Sequence, residues 1–374
     1  MGQVSFSPSR CHIDLACLAR NFAKMGDPKR VMPVIKSDAY GHGLMPVAHT
    51  LDKNGCTHFA VGTVSEGRAL REAGFSQDIV VLLGALNRSE WAEAYKLHLL
   101  VPVVDFKDLE FVGELATGDQ KLPIALALNT GMGRLGFNLN DLAELQARLK
   151  SLPRLDPVLA LSHYACCDMP EEQHYTKEQA QSFSQMTEVL KSTYPKLRCS
   201  LNNSAGTIMQ KDAAFDLDRP GITLYGGNPF VGTTWEHLGC HFEWVMSVSA
   251  PILQVRKLQK GESVSYGRIF KADHPMTIAI LGIGYATGYA RALSNRAFVV
   301  IHGEKCRQIG RVCMGMIMVD VSNLSNNIVA GEDAWILGGP TAIKITADDL
   351  AHTLGTISYE VLCLFGATNE RIYH

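Results

Sequence analysis

The sequence has 374 residues, of which 47% are hydrophobic and 19% are charged, and its formal net charge is −2. A chain of this length exceeds the size at which one hydrophobic core usually stops growing, so we expect two domains. The near-neutral charge provides no basic surface for nucleic acid or an anionic membrane, and the apolar runs are too short to span a bilayer. Met1–Arg10 lacks the apolar stretch of a secretion signal.

The cysteines are dispersed along the chain and form no Cys-x-x-Cys pair. Dispersed thiols without a secretion signal indicate a reduced, cytoplasmic protein, and their spacing predicts no metal site. Only Cys166 and Cys167 are adjacent, and we interpret them as core residues rather than as a redox pair.

Residues 31–226 alternate between short β-rich apolar runs and amphipathic helical stretches. This alternation predicts βαβ units and a parallel sheet. The succession of runs favours a (β/α)8 barrel of the TIM type over a doubly wound open sheet, and we place this domain at residues 1–238. The predicted strands are Val31–Ile35, His58–Gly62, Ile79–Leu83, Leu99–Val104, Pro123–Leu128, Pro157–Ser162, Arg198–Leu201 and Ile222–Tyr225. The predicted helices include Glu66–Ala73, Arg88–Leu97, Leu139–Leu149 and Glu178–Ser192.

Beyond residue 238 the pattern changes to short apolar or alternating runs separated by Gly, Asn and Asp turns. This pattern predicts a C-terminal β domain at residues 239–374, with two helices near its end. The predicted strands are Trp244–Val255, Val264–Tyr266, Thr277–Gly284, Ala297–Ile301, Gln308–Val312, Ile317–Val321 and Asp333–Leu337. The predicted helices are Ala347–Leu354 and Ser358–Phe365.

In barrels of this type the active site lies at the carboxyl ends of the strands. Polar side chains occur at that end of the predicted barrel, and Lys36 comes directly after the first strand. Lysine is rarely buried without a partner, so Lys36 suits either a structural ion pair or an amine that reacts with a carbonyl. The other residues at this rim are Asn129, Thr130, Arg134, His163, Asn203, Ser204, Arg219 and Tyr225.

Asn203 and Ser204 precede the predicted start of a helix. Hydroxyl, amide and free N–H groups at such a position bind phosphate, although Asn or Ser also serves as an ordinary helix N-cap. A reactive lysine on the same rim favours the first interpretation, because pyridoxal phosphate needs both a Schiff-base lysine and a phosphate site. The sequence therefore predicts this cofactor.

Three further side chains each allow a functional and a structural interpretation. Arg219 suits either the pyridine nitrogen of the cofactor or a salt bridge at the rim. His163 suits either catalysis or a place in the core. Tyr266 suits either a strand aromatic or a base, and as a base it would need a pKa lowered by cationic neighbours.

Together these motifs resemble the bacterial alanine racemases, a family of fold-type III pyridoxal-phosphate enzymes. The resemblance runs almost from end to end and rests on nine motifs in the family's order. These motifs are Ile13–Leu15, Val34–Gly43, Thr130–Phe137, Asn203–Ala205, Arg219–Ile222 with Leu224–Gly226, Val264–Arg268, Gly284–Ala286, Gly310–Met314 and Tyr359–Leu362.

The resemblance implies a homodimer with two shared active sites. Lys36 would carry the cofactor as an aldimine and act as the base for D-alanine. Tyr266, reaching in from the other subunit, would be the base for L-alanine. Racemisation requires two such groups on opposite faces of Cα, one to remove the proton and one to return it. His163 would stack on the cofactor ring and connect Tyr266 to Arg219.

The same resemblance implies the binding residues. Arg134 would contact the substrate carboxylate and the phenolic oxygen of the cofactor, and Met314 would contact the substrate through its N–H. The further residues implied at the cofactor are Tyr40, Asn203, Ser204, Gly221, Ile222 and Tyr359. The residues implied at the entrance are Asp168, Arg291 and Arg311.

Three positions depart from the family's pattern. Asn129 occupies the place of a lysine that is carbamylated in many members, so we hypothesise that Asn129 or a bound small anion orients Arg134. Gly315 and Thr287 stand where the family commonly has aspartates. Both changes lie near the entrance and leave room for a substrate such as serine.

Other functions remain open at this point. One is a racemase of broader or different specificity, which would act on serine or larger amino acids. A second is a fold-type III amino-acid decarboxylase, which would need a Gly-Gly-Gly phosphate loop that the sequence lacks. A third is a non-enzymatic carrier of pyridoxal phosphate, which would not need a second domain. The family suggests D-alanine biosynthesis, and D-alanine catabolism is equally compatible.

Overall fold

The structure is a computed structural model that describes residues 7–117, 121–209, 215–324 and 326–374. It contains a (β/α)8 barrel followed by a mostly stranded domain, as the sequence predicts. The strands in chain order are β1 (Arg10–Ile13), β2 (His58–Val61), β3 (Asp78–Val81), β4 (Pro102–Val103), β5 (Leu122–Ala127), β6 (Leu155–Leu161), β7 (Arg198–Ser200), β8 (Met246–Leu258), β9 (Ser263–Val264), β10 (Phe270–Lys271), β11 (Met276–Leu281), β12 (Phe298–Ile301), β13 (Glu304–Ile309), β14 (Ile317–Asp320), β15 (Asp333–Leu337) and β16 (Glu370–Tyr373).

Helices cover the barrel and end the second domain. They are α1 (Leu15–Lys24), α2 (Leu44–Lys53), α3 (Val64–Glu72), α4 (Arg88–Lys96), α5 (Phe106–Leu115), α6 (Leu142–Ser151), α7 (Gln173–Lys191), α8 (Ser204–Met209), α9 (Glu236–Gly239), α10 (Ala347–Leu354) and α11 (Ser358–Thr368). Single turns of 3₁₀ helix occur at Leu139–Asp141, Pro170–Glu172, Ile222–Tyr225, Tyr266–Arg268, Tyr285–Thr287 and Arg291–Leu293. One further helical segment, Lys36–Tyr40, has an unusual backbone that is described with the site.

Parallel pairing builds the barrel wall. β2 pairs with β3, and β4 to β7 pair in sequence order. Every residue of β2 is buried, as expected for a strand that is covered on both faces. Isolated parallel bridges complete the ring, and they join Val34 to Ala60, Val80 to Leu100 and Val31 to Asp218.

The eighth predicted strand is wrong. Ile222–Tyr225 forms a turn of 3₁₀ helix, and the last position in the ring belongs to the segment around Asp218. All four residues of Ile222–Tyr225 are buried. A short buried apolar run has the same composition in a strand and in a buried helical turn, so periodicity could not distinguish them.

The second domain is organised around β8. Its main sheet has the order β11-β14-β13-β12-β15-β8-β1-β16, and the second half of β8, between Ile252 and Leu258, also pairs with β11. β1 therefore lies in this sheet, where it pairs with β8 and β16, although its residues precede the barrel in the chain. The two ends of the chain thus meet in one sheet.

No single helix among the described residues is long and apolar enough to cross a membrane. Within the described ranges, one pair of helices, α10 and α11, reaches the required length and hydropathy together, and the two are bent by 108° relative to each other.

Candidate active site

A cavity of about 550 Å³ lies at the carboxyl ends of the barrel strands. α11 of the second domain closes part of its wall. The structure brings together many of the residues that the sequence singled out. Those that line the cavity are Lys36, Tyr40, Arg134, His163, Asn203, Ser204, Arg219, Gly221, Ile222 and Tyr359.

Lys36 begins a segment, Lys36–Tyr40, that winds in the left-handed sense and that we call the lysine turn. The four residues after Lys36 all carry a Cβ, and their φ angles lie between 53° and 55°. This conformation costs roughly 1–2 kcal/mol per residue, so four in succession cost on the order of 4–8 kcal/mol. Such strain persists only where the surrounding structure enforces it, and it is typical of functional sites.

Charged side chains from two other elements support the lysine turn. Asp38 accepts a hydrogen bond from Leu44 N at 2.6 Å and forms an ion pair with Arg371 of β16. Glu66, in the first turn of α3, accepts hydrogen bonds from Asp38 N at 3.2 Å and from Gly62 N at 2.7 Å. The turn is therefore held from the barrel on one side and from the second domain on the other.

The lysine turn also packs against α11 through two glycines. A Cβ on Gly366 would lie 2.0 Å from the carbonyl oxygen of Gly41, and a Cβ on Gly41 would lie 2.7 Å from that of Leu362. No other residue type permits so close a backbone approach. The second domain thus forms part of the support beneath Lys36.

Lys36 is half-buried, and this burial, followed by the positive charge of Arg134, lowers the pKa of its amine from the ordinary value. Glu66 opposes the shift. A lysine amine reacts with a carbonyl only in its neutral form, so a lowered pKa favours that chemistry over a structural ion pair.

Arg219 is only 4% exposed, and its guanidinium lies among neutral oxygen acceptors. Nη1 donates to Ser200 Oγ, and Nη2 donates to the carbonyl oxygen of Ser162. Within the described part of the chain, no carboxylate forms an ion pair with Arg219, so it is not a rim salt bridge. Burial lowers the pKa of Arg219 to about 10, and the group remains charged at neutral pH.

His163 lies next to Arg219, with Nη2 of the arginine 3.4 Å from its Nδ1. Because a guanidinium only donates, Nδ1 must be the acceptor and the imidazole proton resides on Nε2. Burial and the positive charges of Arg219, Arg134 and Lys36 lower the pKa of His163 to about 3. The imidazole is therefore neutral.

The opposite end of the cavity is suited to an anion. Asn203 caps α8, since its Oδ1 accepts from Gly206 N at 3.0 Å, and Ser204 Oγ accepts from Gly221 N at 2.9 Å. A Cβ on Gly221 would lie 2.4 Å from Tyr40 Oη, so only glycine leaves room for that hydroxyl. The hydroxyl group, the helix start and the nearby backbone together form a phosphate-sized cradle.

Tyr40 and Tyr359 form one side of this cradle, with ring centroids 5.7 Å apart. Burial raises the pKa of both hydroxyl groups well above the usual range for tyrosine. Both groups therefore stay protonated and available as hydrogen-bond donors to an anion.

Arg134 is exposed at the mouth of the cavity, and its guanidinium forms no hydrogen bond with the residues that the structure describes. Asn129 contacts the loop before it rather than the guanidinium itself. Its Oδ1 accepts from Gly131 N at 3.2 Å and from Gly133 N at 2.9 Å, and its Nδ2 donates to Asn138 Oδ1 at 3.0 Å. Asn129 thus shapes the backbone that presents Arg134.

Tyr266 lies outside the cavity of its own chain, and 71% of it is exposed. β9 ends at Val264 and Tyr266 begins a helical turn, so the predicted strand Val264–Tyr266 is wrong at Tyr266. The preceding Ser265 has φ 66° and ψ −174°, a combination that is essentially confined to glycine. Its Oγ donates to the carbonyl oxygen of Arg311 at 2.6 Å. This contact holds the strained backbone from which Tyr266 projects.

The other predicted site residues also lie outside this cavity. Met314 is 63% exposed, and a Cβ on the neighbouring Gly315 would meet no atom within 4 Å. Thr287 Oγ1 accepts from Gly284 N at 3.1 Å, so it stabilises a local turn. The predicted residues outside the cavity are Asn129, Asp168, Tyr266, Arg291, Arg311 and Met314.

Sequence reasoning missed several residues of the site. Ser200 binds Arg219, Glu66 and Arg371 hold the lysine turn, and Cys363 lines the cavity. The capping-box pattern Thr-x-x-Glu at the start of α3 was a readable signal for Glu66 as a structural residue. Nothing in the local sequence connects Arg371 with Asp38, because they are 333 positions apart.

Pyridoxal phosphate fits the donor set of this cavity. The group needs a lysine amine for its aldehyde, donors for its phosphate and a polar partner for its ring nitrogen. Lys36 supplies the amine, and the cradle at Gly221 and Tyr40 supplies the phosphate site. The buried cation of Arg219 is the polar partner for the ring nitrogen.

Known proteins resemble the chain over nearly its whole length. Residues 13–229 match the family model of the alanine racemase N-terminal domain, and residues 245–373 match that of the alanine racemase C-terminal domain. The alanine racemase of Nitratidesulfovibrio vulgaris is 44% identical to this chain, and the match covers 97% of each protein.

Solved structures agree in fold. The alanine racemase from Bartonella henselae, described with covalently bound pyridoxal phosphate, gives a TM-score of 0.87 at 27% identity and covers 98% of this chain and 99% of its own. The alanine racemase from Bacillus anthracis, described with bound L-Ala-P, gives a TM-score of 0.88 at 27% identity. The match covers 99% of this chain and 95% of that one.

Proposed function

This chain belongs to the alanine racemase family, and on that premise we propose that Lys36 and Tyr266 are its two proton-transfer groups. The protein is a pyridoxal-phosphate-dependent isomerase that interconverts L-alanine and D-alanine. The observation that carries the residue assignment is the lysine turn. Its strained backbone places an amine of lowered pKa in the same cavity as the phosphate cradle and Arg219.

Bound pyridoxal phosphate supplies an electron sink that weakens the Cα–H bond of the amino acid. The ε-amino group of Lys36 holds the cofactor and transfers the proton on one face of Cα, as the base for D-alanine. A base must be neutral to accept a proton, so the lowered pKa of Lys36 supports this role.

Tyr266 transfers the proton on the opposite face, and it is contributed by the second subunit of a homodimer. Its exposure and its position outside the cavity of its own chain support this arrangement. Large apolar side chains are exposed at the cavity, at Leu83 and Ile357, and also in the second domain, which carries Tyr266, at Tyr285 and Met314. Exposed apolar surfaces of this kind are typical of protein interfaces, and two different patches suit a head-to-tail pair that closes on itself.

Arg219 would face the ring nitrogen of the bound cofactor and donate a hydrogen bond to it. A guanidinium does not give up its proton, so Arg219 would leave that nitrogen unprotonated and would make the ring a weaker electron acceptor than a pyridinium. Such an interaction would limit side reactions at Cα. His163 would stack on the ring of the bound cofactor and connect Arg219 with Tyr266, which its contact with Arg219 supports.

The remaining residues bind and orient. Arg134 contacts the substrate carboxylate and the cofactor's phenolic oxygen, and the N–H of Met314 contacts the substrate. Asn129 orients Arg134 through the backbone of residues 131–133, which is supported by its two hydrogen bonds there. The residues that hold the phosphate are Tyr40, Asn203, Ser204, Gly221, Ile222 and Tyr359. The residues at the entrance are Asp168, Arg291 and Arg311.

Activity on serine is a second candidate that one observation favours. Gly315 replaces a common aspartate, and the space around it is open. Thr287 likewise replaces a carboxylate with a smaller neutral group, which leaves the entrance less acidic.

The experiment that tests this function is exchange of the Cα proton in heavy water, measured separately for L-alanine, D-alanine and both enantiomers of serine. We expect deuterium in the product enantiomer, and we expect Tyr266→Phe to impair proton abstraction mainly from L-alanine. Lys36→Ala should lose the visible absorbance of the lysine-bound cofactor. Release of CO₂ without racemised product would indicate a decarboxylase instead. Equal losses with both enantiomers of alanine in half-reactions would contradict the two-base assignment.

The cytoplasmic location and the boundary at residue 238 stay predictions. All the cysteines in the described parts of the chain are unpaired, which supports a reducing compartment. A biosynthetic role in supplying D-alanine is what family membership favours.

A further inference from the structure

The lysine turn needs support from within the protein, because its four left-handed residues are unfavourable on their own. Asp38 and Glu66 contribute hydrogen bonds to it, but the Asp38 side chain is half exposed and reaches water. Water competes for exposed charged groups, so these contacts hold the turn less firmly than fully buried contacts would. A buried contact to the carbonyl groups at its end would hold it more firmly.

His42 makes that contact. It is fully buried, two positions after the end of the turn. Its Nδ1 lies 3.0 Å from the carbonyl oxygen of Ala39 and 3.1 Å from that of Tyr40. Both partners are acceptors only, so Nδ1 must carry the proton and donate to them. Burial lowers the pKa of His42 to about 4, and the imidazole is therefore neutral.

The ring of His42 is itself fixed by its neighbours. It stacks on Tyr225 with ring centroids 4.4 Å apart and an interplanar angle of 28°. Tyr225 donates its hydroxyl to the carbonyl oxygen of Val34 at 3.1 Å, and its ring also packs against Tyr40 at 4.9 Å. The imidazole thus connects the strand segment before Lys36 with the turn after it.

We propose that His42 is a positioning residue whose Nδ1–H locks the left-handed conformation of the lysine turn and so sets where Lys36 and Tyr40 stand in the cavity. The inference rests on the proposed cofactor roles of Lys36 and Tyr40. His42 lies beneath the turn and does not line the cavity, so it acts through these two residues and not on the substrate.

Two substitutions separate hydrogen bonding from packing. His42→Phe keeps an aromatic ring against Tyr225 but removes the donor. His42→Asn removes the ring but places an amide N–H where Nδ1 stood. His49→Phe is the control, since His49 is a nearby histidine whose ring packs in a tilted arrangement against Phe75, with ring centroids 4.8 Å apart.

The measurement is the dissociation constant of pyridoxal phosphate for the full-length apoenzyme, followed by the visible absorbance of the lysine-bound cofactor. We expect His42→Phe to raise this dissociation constant by about tenfold or more, which corresponds to the loss of one net hydrogen bond. We expect His42→Asn to stay within about threefold of the original protein, and His49→Phe to bind normally. Normal binding by His42→Phe together with weak binding by His42→Asn would overturn the proposal, because packing would then be the role of the ring.

A measurement on the unmodified enzyme covers the case in which His42→Phe does not fold. Nitrogen NMR of the histidine side chains should show His42 as the neutral Nδ1–H tautomer. The Nε2–H tautomer or a charged ring at neutral pH would overturn the proposal. Lys36→Ala separates this inference from the proposed function. If the unmodified protein shows the lysine-bound absorbance and Lys36→Ala does not, the function stands whatever His42 does.

Discussion

Arg371, in the last strand of the chain, forms an ion pair with Asp38, two positions after Lys36. The arginine side chain is only 17% exposed, and it also donates to the carbonyl oxygen of Gly41 at 3.3 Å. The end of the second domain therefore clamps the barrel turn that carries the reactive lysine. We therefore expect cofactor binding to depend on this contact between the two domains.

Replacing Arg371 with Met should weaken pyridoxal phosphate binding by about three- to tenfold, because a half-shielded ion pair contributes about 1 kcal/mol and the turn relaxes without it. Titration of the apoenzyme with the cofactor measures this change. Arg20→Met is the matched control, since the Arg20–Glu243 pair is exposed and lies outside the cavity. An equal loss of affinity in both variants would show that the Arg371 pair has no special relation to the lysine turn.

Subunits that carry Lys36→Ala and subunits that carry Tyr266→Phe should complement each other if each site takes one residue from each chain. A mixed dimer then contains one intact site and one doubly substituted site. Random exchange should restore about a quarter of the sites, measured as racemisation of L-alanine after mixing the two impaired proteins. Activity that stays at the sum of the separate variants, in a sample shown to exchange subunits, would place both groups in one chain.

The apoenzyme should lose stability as the pH falls from 6.5 to about 4, since burial lowers the pKa of His42 over that range. The unfolded chain binds a proton there that the folded chain does not, so the free energy of unfolding decreases towards acid pH. The slope from this one group is at most about 1.4 kcal/mol per pH unit. Urea unfolding at several pH values should show a correspondingly smaller slope in His42→Asn. An unchanged slope in His42→Asn would contradict the assignment.

Gly221→Ala should weaken binding of pyridoxal phosphate by about tenfold, because the new methyl group displaces the Tyr40 hydroxyl from the cradle. Binding of pyridoxal, which lacks the phosphate, should change little. Gly113→Ala is the control, since its Cβ would crowd Leu152 at 2.9 Å, between α5 and the end of α6, and reduce stability without touching the site. Equal weakening of both ligands by Gly221→Ala would indicate general disruption rather than loss of the phosphate contact.

Much of the fold could be predicted from residue patterns because the patterns are local. Strands such as β2, β6 and β15 have apolar runs bounded by turn residues, and their buried faces follow directly. Ile222–Tyr225 is the exception among the barrel strands, since burial alone does not distinguish a strand from a helical turn. β1 has no counterpart among the predicted strands, because its pairing partners come from the second domain and leave no local trace in the sequence.

The chemistry of the site was determined by the sequence itself. Lys36 follows an apolar strand, Asn203-Ser204 precede a helix, and Arg219 lies near the last barrel segment. Together they predict a pyridoxal-phosphate enzyme, because those groups have few other uses at one rim of a barrel. Their family pattern then identifies the reaction as racemisation of alanine.

Only the tertiary structure decided how these groups are held. The lysine turn is left-handed, and the Nδ1–H group of His42 lies beneath it. Arg371 pairs with Asp38, and Tyr266 is exposed. These features depend on contacts between distant parts of the chain. A strained backbone is stable only when its neighbours outweigh the strain, and those neighbours are brought together by folding alone.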